Sequence, residues 1–244
     1  MKRALAILTS LGLFLVIGCA QNYDLRLTNT IESRLYQRRL NNNLEAAPKK
    51  TKLETSKIYV RPPKGLQGPT KTFGLAVVEP GRFDIEDTFF DPQKQASLHV
   101  LARLNLPKAP NKKGVTPAEA TPRGEFTADV LDLLKNVYGT DFDLSKLKTE
   151  SKSHGRRTNT FRSMTLDLTA KEVKVYLLDD KSSPEKVALI FDYSKPERES
   201  LSSKINLCLE SFAVGEEARR AYSGLVEEEL GEEGGGGAPP GGVF

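Results

Sequence analysis

The chain has 244 residues, with 19 glycines, 14 prolines and a formal net charge of +4. This length holds one domain or two small ones, and the frequent glycine and proline indicate ordered parts joined by looser segments. Residues 21–72 carry eleven basic against four acidic side chains, whereas residues 73–224 balance and the last twenty carry five glutamates and no base. Because the basic excess is confined to one segment, the composition argues against a uniformly basic nucleic-acid-binding protein, and no nucleic-acid partner is expected.

The N-terminus carries the strongest signal in the sequence. Lys2 and Arg3 precede an apolar run over residues 4–17. As a helix this run is about 21 Å long, too short for the roughly 30 Å hydrocarbon core of a bilayer. A basic start and a short apolar run predict a signal peptide over residues 1–18. The run ends at Val16-Ile17-Gly18-Cys19, which resembles the lipobox of bacterial lipoproteins.

This resemblance implies that Cys19 carries diacylglycerol and becomes the first residue after cleavage. The lipid at Cys19 then holds the chain at a membrane of the cell envelope. An ordinary signal peptide with a chance cysteine is the alternative. In bacteria with two membranes, an aspartate after the lipidated cysteine is tied to retention at the inner membrane. Because Ala20 stands there, the resemblance implies the outer membrane, with the protein facing the periplasm.

Residues 19–72 are predicted to form the lipid anchor and a basic stalk. Two rows of apolar residues at i, i+4 spacing predict a short helix without one continuous apolar face: Leu27, Ile31 and Leu35, then Tyr36, Leu40 and Leu44. Prolines at positions 48, 62 and 63 then favour extended backbone. The basic excess either attracts the segment to anionic lipid headgroups or acidic envelope polymers, or only keeps a tether soluble.

From residue 73 the apolar pattern changes to period two, which predicts three strands: 73–77, 83–89 and 96–104. In the third strand His99 and Arg103 point away from the apolar set. The proline-rich residues 105–124 are predicted to be a long loop, which leaves open whether one lobe or two follow. An amphipathic helix is then predicted from Phe126, ended by Gly139.

Three further strands are predicted over residues 164–168, 173–177 and 187–193, and their short connections make them antiparallel. A closing helix over residues 196–212 places its apolar face on the sheet. The predicted fold class for residues 73–224 is therefore α+β, an antiparallel sheet packed against one or two helices. Residues 225–244 are rich in glutamate and glycine and are predicted to be a disordered tail.

The order of helix, three strands and helix over residues 125–212 is similar to that of PsbP/Mog1-type domains and of the helix-grip domains of outer-membrane assembly lipoproteins. The likeness lies in element order alone. It implies a fold, and it transfers no site residue and no function.

No catalytic, cofactor-binding or metal-ligating residue is predicted, and no cofactor is expected. With only His99 and His154, the chain cannot build a multi-histidine metal site. Residues 154–157, with nearby lysines, are predicted to be a solvated basic loop, the alternative being an anion-binding loop. Once Cys19 is lipidated, Cys208 is the only thiol, and its position on the apolar face of the last helix predicts a core residue rather than a nucleophile.

These features together predict a membrane-anchored cell-envelope lipoprotein. Its folded part is expected to act as a non-enzymatic binding or assembly module for an envelope protein or polymer. The alternative is a carrier of a small apolar ligand, which requires a cavity of roughly several hundred Å³ between sheet and helix. An enzyme ranks third, because it would depend on scattered acidic and lysine residues that the sequence does not assemble into a site.

Overall fold

The computed structural model describes residues 26–70, 82–104, 124–140, 142–155, 157–179 and 185–224. The predicted signal peptide, Cys19, the strand over residues 73–77, nearly all of the 105–124 loop and the 225–244 tail lie outside these residues. The chain divides after Asn42 into two compact units, the second ending at Ser223. Each unit is described by itself.

One helix, α1, is described over residues 26–43, and all of it but its last residue belongs to the first unit. The helix is continuous through Tyr36, the residue at which the second predicted apolar row begins. The row formed by Leu27, Ile31 and Leu35 is exposed, whereas Leu40 is buried.

The second unit is built on a seven-stranded antiparallel sheet with the order β2-β3-β4-β8-β7-β6-β5. The strands are β2 (Gln67–Thr70), β3 (Ile85–Asp91), β4 (Ala96–Arg103), β5 (Lys148–His154), β6 (Arg157–Asp167), β7 (Lys171–Leu178) and β8 (Lys186–Ser194). The predicted α+β class with an antiparallel sheet is confirmed. Pairing of β4 with β8 joins the strands before and after the predicted long loop into one sheet.

One face of the sheet is covered by helix α3 (Phe126–Tyr138). Its apolar side chains pack with inward-facing residues of β4, β7 and β8, including Leu101, Val175 and Ile190. The helix ends at Gly139, whose φ of 66° places it in the left-handed region that favours glycine. The helix predicted from periodicity is confirmed with its C-terminal stop.

The opposite face is covered by helix α4 (Arg198–Ser211). Phe212, directly after the helix, packs its ring on Phe161 of β6, with 5.9 Å between ring centroids. Tyr176 of β7 and Phe191 of β8 lie on the same face with an edge-to-face contact of 6.0 Å. Because helices cover both faces, the central strands are buried on both sides, as the burial of nearly all of β8 shows.

The structure differs from the predicted stalk over residues 43–70, which belong to the compact second unit. This segment contains α2 (Lys52–Thr55), β1 (Ile58–Tyr59) and β2, and β1 pairs with β9 (Ala213–Val214) ahead of α5 (Gly215–Ser223). Leu44, Leu53, Ile58 and Val60 are fully buried. Sequence pattern does not show this, because the buried residues are irregularly spaced and β1 pairs with a strand about 155 residues later.

The predicted basic loop over residues 154–157 lies at the end of a β-hairpin. Residues 148–154 form β5, which pairs with β6 from Lys148↔Ser163 to His154↔Arg157. Seven successive residue pairs form this hairpin, so the predicted loop begins and ends in paired strand residues, with the exposed Gly155 in the turn between them. The strand lacks apolar alternation because it is an edge strand, mostly exposed on both faces.

We expect a fragment of residues 43–224 to unfold cooperatively and a fragment of residues 73–224 to be markedly less stable. The shorter fragment loses β1, β2 and the buried side chains of the 43–70 segment. Thermal unfolding followed by circular dichroism, with limited proteolysis, checks this. In the full chain, Leu53→Ala should cost about 2–4 kcal/mol. Equal melting temperatures for the two fragments would show that the segment is a tether after all.

Candidate functional site

The most unusual polar cluster in the described residues lies at one end of the face that α3 covers. Asp192 of β8 projects from a strand buried on both sides. Its Oδ2 accepts a hydrogen bond from the Tyr138 hydroxyl at 2.9 Å and lies 3.3 Å from Nζ of Lys171. Its Oδ1 is buried and accepts no hydrogen bond from the described residues. The hydrogen bonds that the described residues donate to this buried carboxylate therefore go to one of its two oxygens.

His99 of β4 lies beside this carboxylate on the same face, since Ser97 pairs with Asp192 and His99 with Ile190. Its Nδ1 is 3.0 Å from the Thr88 hydroxyl and its Nε2 is 2.9 Å from the Ser97 hydroxyl. Burial lowers the pKa of His99 to about 4, although the nearby Asp192 opposes the shift. The imidazole is therefore neutral at pH 7, with both ring nitrogens in hydrogen bonds.

Tyr138 completes the cluster from the C-terminal turn of α3. Its pKa is raised by burial and by the charge and hydrogen bond of Asp192, because ionising the phenol would place two negative charges together. The hydroxyl thus remains a donor to the carboxylate at all physiological pH values. This bond ties the end of α3 to β8.

A second cluster lies on the opposite face at the same end of β7. Glu172 is buried, accepts a hydrogen bond from Tyr193 at 2.5 Å and forms ion pairs with Arg198 and Lys174. Burial raises the pKa of Glu172, but the hydrogen bonds from Tyr193 and Arg198 and the two positive charges outweigh burial and hold this pKa below its ordinary value. The carboxylate is charged and anchors the start of α4 to the sheet.

Both clusters are hydrogen-bond networks inside the protein. The Ser97–His99 pair resembles part of a nucleophile–base pair, but the second nitrogen of the imidazole meets a threonine hydroxyl rather than a carboxylate. Among the described residues no group of three metal-ligating side chains occurs. A shallow surface depression lies elsewhere, lined by Glu54, Lys57, Arg219, Tyr222 and Ser223.

The residues singled out from sequence are placed as follows. Cys19, the only predicted site residue, lies outside the described residues. Cys208 is fully buried, and burial raises the pKa of its thiol to about 12. Asp143 accepts a hydrogen bond from the backbone N–H of Ser145 at the start of a 3-10 turn. His154 ends the edge strand β5 and is exposed, whereas His99 is buried in β4, which three strands separate from β5 in the sheet.

Sequence reasoning missed Asp192, Lys171 and Tyr138 as a group. One signal was present: Ala188, Ile190 and Asp192 share one side of β8 by alternation, so a carboxylate stands in an otherwise apolar row. Recognising the row as buried required the knowledge that α3 covers this face. The partners come from an adjacent strand and a helix end 54 residues away.

Within the described ranges, no helix is both long enough and apolar enough to span a bilayer.

Comparison with known proteins gives structural neighbours only. No protein-family model and no curated protein matches the chain. The solution structure of cyanobacterial PsbP (CyanoP) from Synechocystis sp. PCC 6803 matches 71% of this chain and 93% of its own, at 12% identity and a TM-score of 0.42. The crystal structure of the Saccharomyces cerevisiae Ran-binding protein Mog1p matches 74% of this chain and 90% of its own, at 16% identity and a TM-score of 0.32.

PsbP and Mog1p are thus among the solved structures similar to this chain, as the element order indicated. At these identities and TM-scores the similarity carries no argument about function. The likeness to helix-grip domains and the lipobox stay predictions.

We expect His99 to make the protein less stable as the pH falls from about 6.5 to 4. The unfolded histidine, with its pKa of 6.5, binds a proton in this range, whereas the native imidazole stays neutral until about pH 4. Between pH 7 and pH 5 the wild type should lose about 2 kcal/mol more free energy of unfolding than His99→Gln. Urea unfolding at both pH values measures the difference. The exposed-site variant His154→Gln should behave like the wild type, and an equal pH dependence in His99→Gln would contradict the buried neutral state.

We expect Cys208 to be inert in the folded protein. In a Cys19→Ser background, an alkylating probe at neutral pH should label the chain only after unfolding, because burial suppresses the thiolate. Cys208→Ala should cost on the order of 1 kcal/mol as a small cavity, and Cys208→Asp several times more because a carboxylate would be buried without a partner. Rapid labelling of the native chain would overturn this role and point to a reactive thiol.

Proposed function

We propose that the chain is a lipid-anchored protein of the bacterial cell envelope whose folded unit acts as a non-enzymatic binding or assembly module. The observation that carries the proposal is the sequence Val16-Ile17-Gly18-Cys19 at the end of a short apolar run that follows two basic residues. This pattern supports cleavage before Cys19 and acylation of its thiol. Several acyl chains on one cysteine would hold the protein firmly at the membrane.

The character of the folded unit supports a binding rather than a catalytic role. Its two buried carboxylate clusters tie helices α3 and α4 to the sheet, which is a structural role. Its buried histidine and its buried cysteine are held in their neutral forms. Both side chains are buried, so neither is exposed to a substrate, and a partner would be bound at the surface.

A second candidate, a carrier of a small apolar ligand, lacks a specific observation in its favour. The sheet faces below α3 and α4 are filled by buried side chains such as Leu134 and Leu209. The surface depression on the described residues is lined largely by charged and hydroxyl-bearing side chains, which do not suit an apolar ligand.

The absence of aspartate after the lipidated cysteine supports placement at the outer membrane, facing the periplasm, because Ala20 follows Cys19. An envelope protein or polymer is the partner class we propose.

Anchoring is tested by Cys19→Ser in cells that process lipoproteins. We expect the wild-type chain to fractionate with membranes, with an intact mass that shows loss of residues 1–18 and gain of acyl chains. The variant should lose the acyl mass, and a high-salt wash should release it from membranes that retain the acylated wild type.

Cys208→Ala provides the matched control, since it removes the other cysteine and should remain acylated and membrane-bound. An unacylated wild-type chain would refute the anchor. Native mass spectrometry of the detergent-extracted wild type separates the two functions: a stoichiometric protein partner supports the binding module, and a co-purifying small apolar molecule supports the carrier.

A further inference from the structure

Helix α1 presents an exposed apolar row. Leu27, Ile31 and Leu35 are 47%, 49% and 58% exposed, values that stand out because large apolar side chains elsewhere in the described residues are mostly buried. Their i, i+4 spacing places them on one side of the helix within an arc of about 80°. Leu40 and Tyr36, on the opposite side of the helix, are buried and half-buried. The apolar side chains of the helix therefore divide into an exposed row on one side and buried or half-buried residues on the other.

Two arginines share this face. At about 100° per residue, Arg34 and Arg38 fall beside Leu27 and Ile31, and both arginine side chains are exposed. Over residues 26–42 the helix carries four arginines against one glutamate, so its surface is basic. An apolar row beside long basic side chains is typical of helices that lie in a membrane interface, with the row in the acyl boundary and the guanidinium groups at the phosphates.

The same positions argue against a second copy of the chain as the occupant. A coiled-coil seam alternates steps of four and three residues, and from Leu27 and Ile31 it continues to positions 34 and 38. Both are arginine here. Pairing two helices along this seam would bury two guanidinium groups of each helix in the contact, which is unfavourable, whereas an anionic bilayer supplies phosphates to each of them.

The position of α1 in the chain fits a bilayer surface. Seven peptide steps separate Cys19 from the first described residue of the helix, a reach of at most about 25 Å. An acylated Cys19 would therefore keep the helix within one bilayer thickness of the membrane surface. At such a distance the local concentration of headgroups is high, and even weak interfacial binding is populated.

We propose that α1 lies along the surface of an anionic phospholipid bilayer, with Leu27, Ile31 and Leu35 inserted at the acyl boundary and Arg34 and Arg38 on the lipid phosphates. This inference rests on the proposed anchoring for its setting in the cell. The binding itself is a property of the helix and does not need the acyl chains.

The test uses the unacylated full mature chain, residues 19–244 with Cys19→Ser, in sedimentation with vesicles. Binding should be clear with vesicles of 30% phosphatidylglycerol in phosphatidylcholine and at least tenfold weaker with phosphatidylcholine alone. Replacing Leu27, Ile31 and Leu35 with serine should reduce binding at least tenfold. The matched control replaces three other exposed apolar residues, Phe90, Val137 and Leu144, with serine and should bind as the parent does.

A charge-reversal pair tests the arginines without touching the apolar row. Arg34→Glu with Arg38→Glu should weaken binding to the anionic vesicles by roughly fivefold or more for each arginine. Lys146→Glu with Lys148→Glu makes the same change in net charge at exposed positions of the second unit, and it should have a small effect. Equal losses in the two pairs would show only nonspecific attraction and would overturn the assigned face.

A tryptophan probe locates the helix directly, because the chain contains no tryptophan. The emission of Ile31→Trp should shift to the blue on addition of anionic vesicles and be quenched by brominated lipid, whereas Leu144→Trp should change in neither respect. A blue shift that depends on protein concentration in the absence of vesicles would identify a second copy of the chain as the occupant and would overturn the proposal. The absence of any shift on addition of anionic vesicles would also overturn it. Failure of acylation at Cys19 would leave these results unchanged, so the two proposals fail separately.

Discussion

The pairing of β4 with β8 is the interaction on which the rest of the folded unit depends. Seven residue pairs, from Ser97↔Asp192 to Arg103↔Lys186, join two groups of strands that lie far apart in the chain. This pairing brings β4, β8 and β7 to the centre of a sheet wide enough to be covered by a helix on each face. Burial on both sides follows, and any polar side chain in these strands then needs a partner inside the protein. His99 finds its partners in two hydroxyls, Asp192 in a tyrosine and a lysine at Oδ2, and Glu172 in a tyrosine and two cationic side chains.

The regular elements with a clear apolar period could be predicted from sequence, and those stabilised by distant partners could not. The alternation of Val187, Leu189, Phe191 and Tyr193 identified β8, and the spacing from Phe126 identified α3. In contrast, β5 has no apolar period because it is an exposed edge strand, and β1 has two residues that pair with β9, some 155 positions later. Local pattern carries no information about such pairings, so the 43–70 segment looked like a tether although its apolar side chains are buried.

The polar clusters show the same limit at the level of side chains. Each combines groups from elements distant in sequence, such as Tyr138 with Asp192 and Arg198 with Glu172. Spacing predicted that His99 and Arg103 face away from the apolar side of β4, and this is confirmed by the register. What spacing could not show is that a second helix buries this other side too. The burial of His99, and with it the lowered pKa, is a consequence of the tertiary fold.

Burial of Cys208 protects its thiol from disulfide exchange. The rate of exchange depends on access and on the fraction of thiolate, and it would matter in the oxidising periplasm that we propose for the chain. Cys208 has neither access nor thiolate, since its side chain is fully buried and the pKa of its thiol is about 12. At pH 7 this pKa leaves roughly one thiolate in 10⁵ thiols even without the barrier of burial. Once Cys19 is acylated, the chain would present no reactive sulfur in its folded state, so the packing that stabilises α4 on the sheet also protects the protein from wrong disulfides.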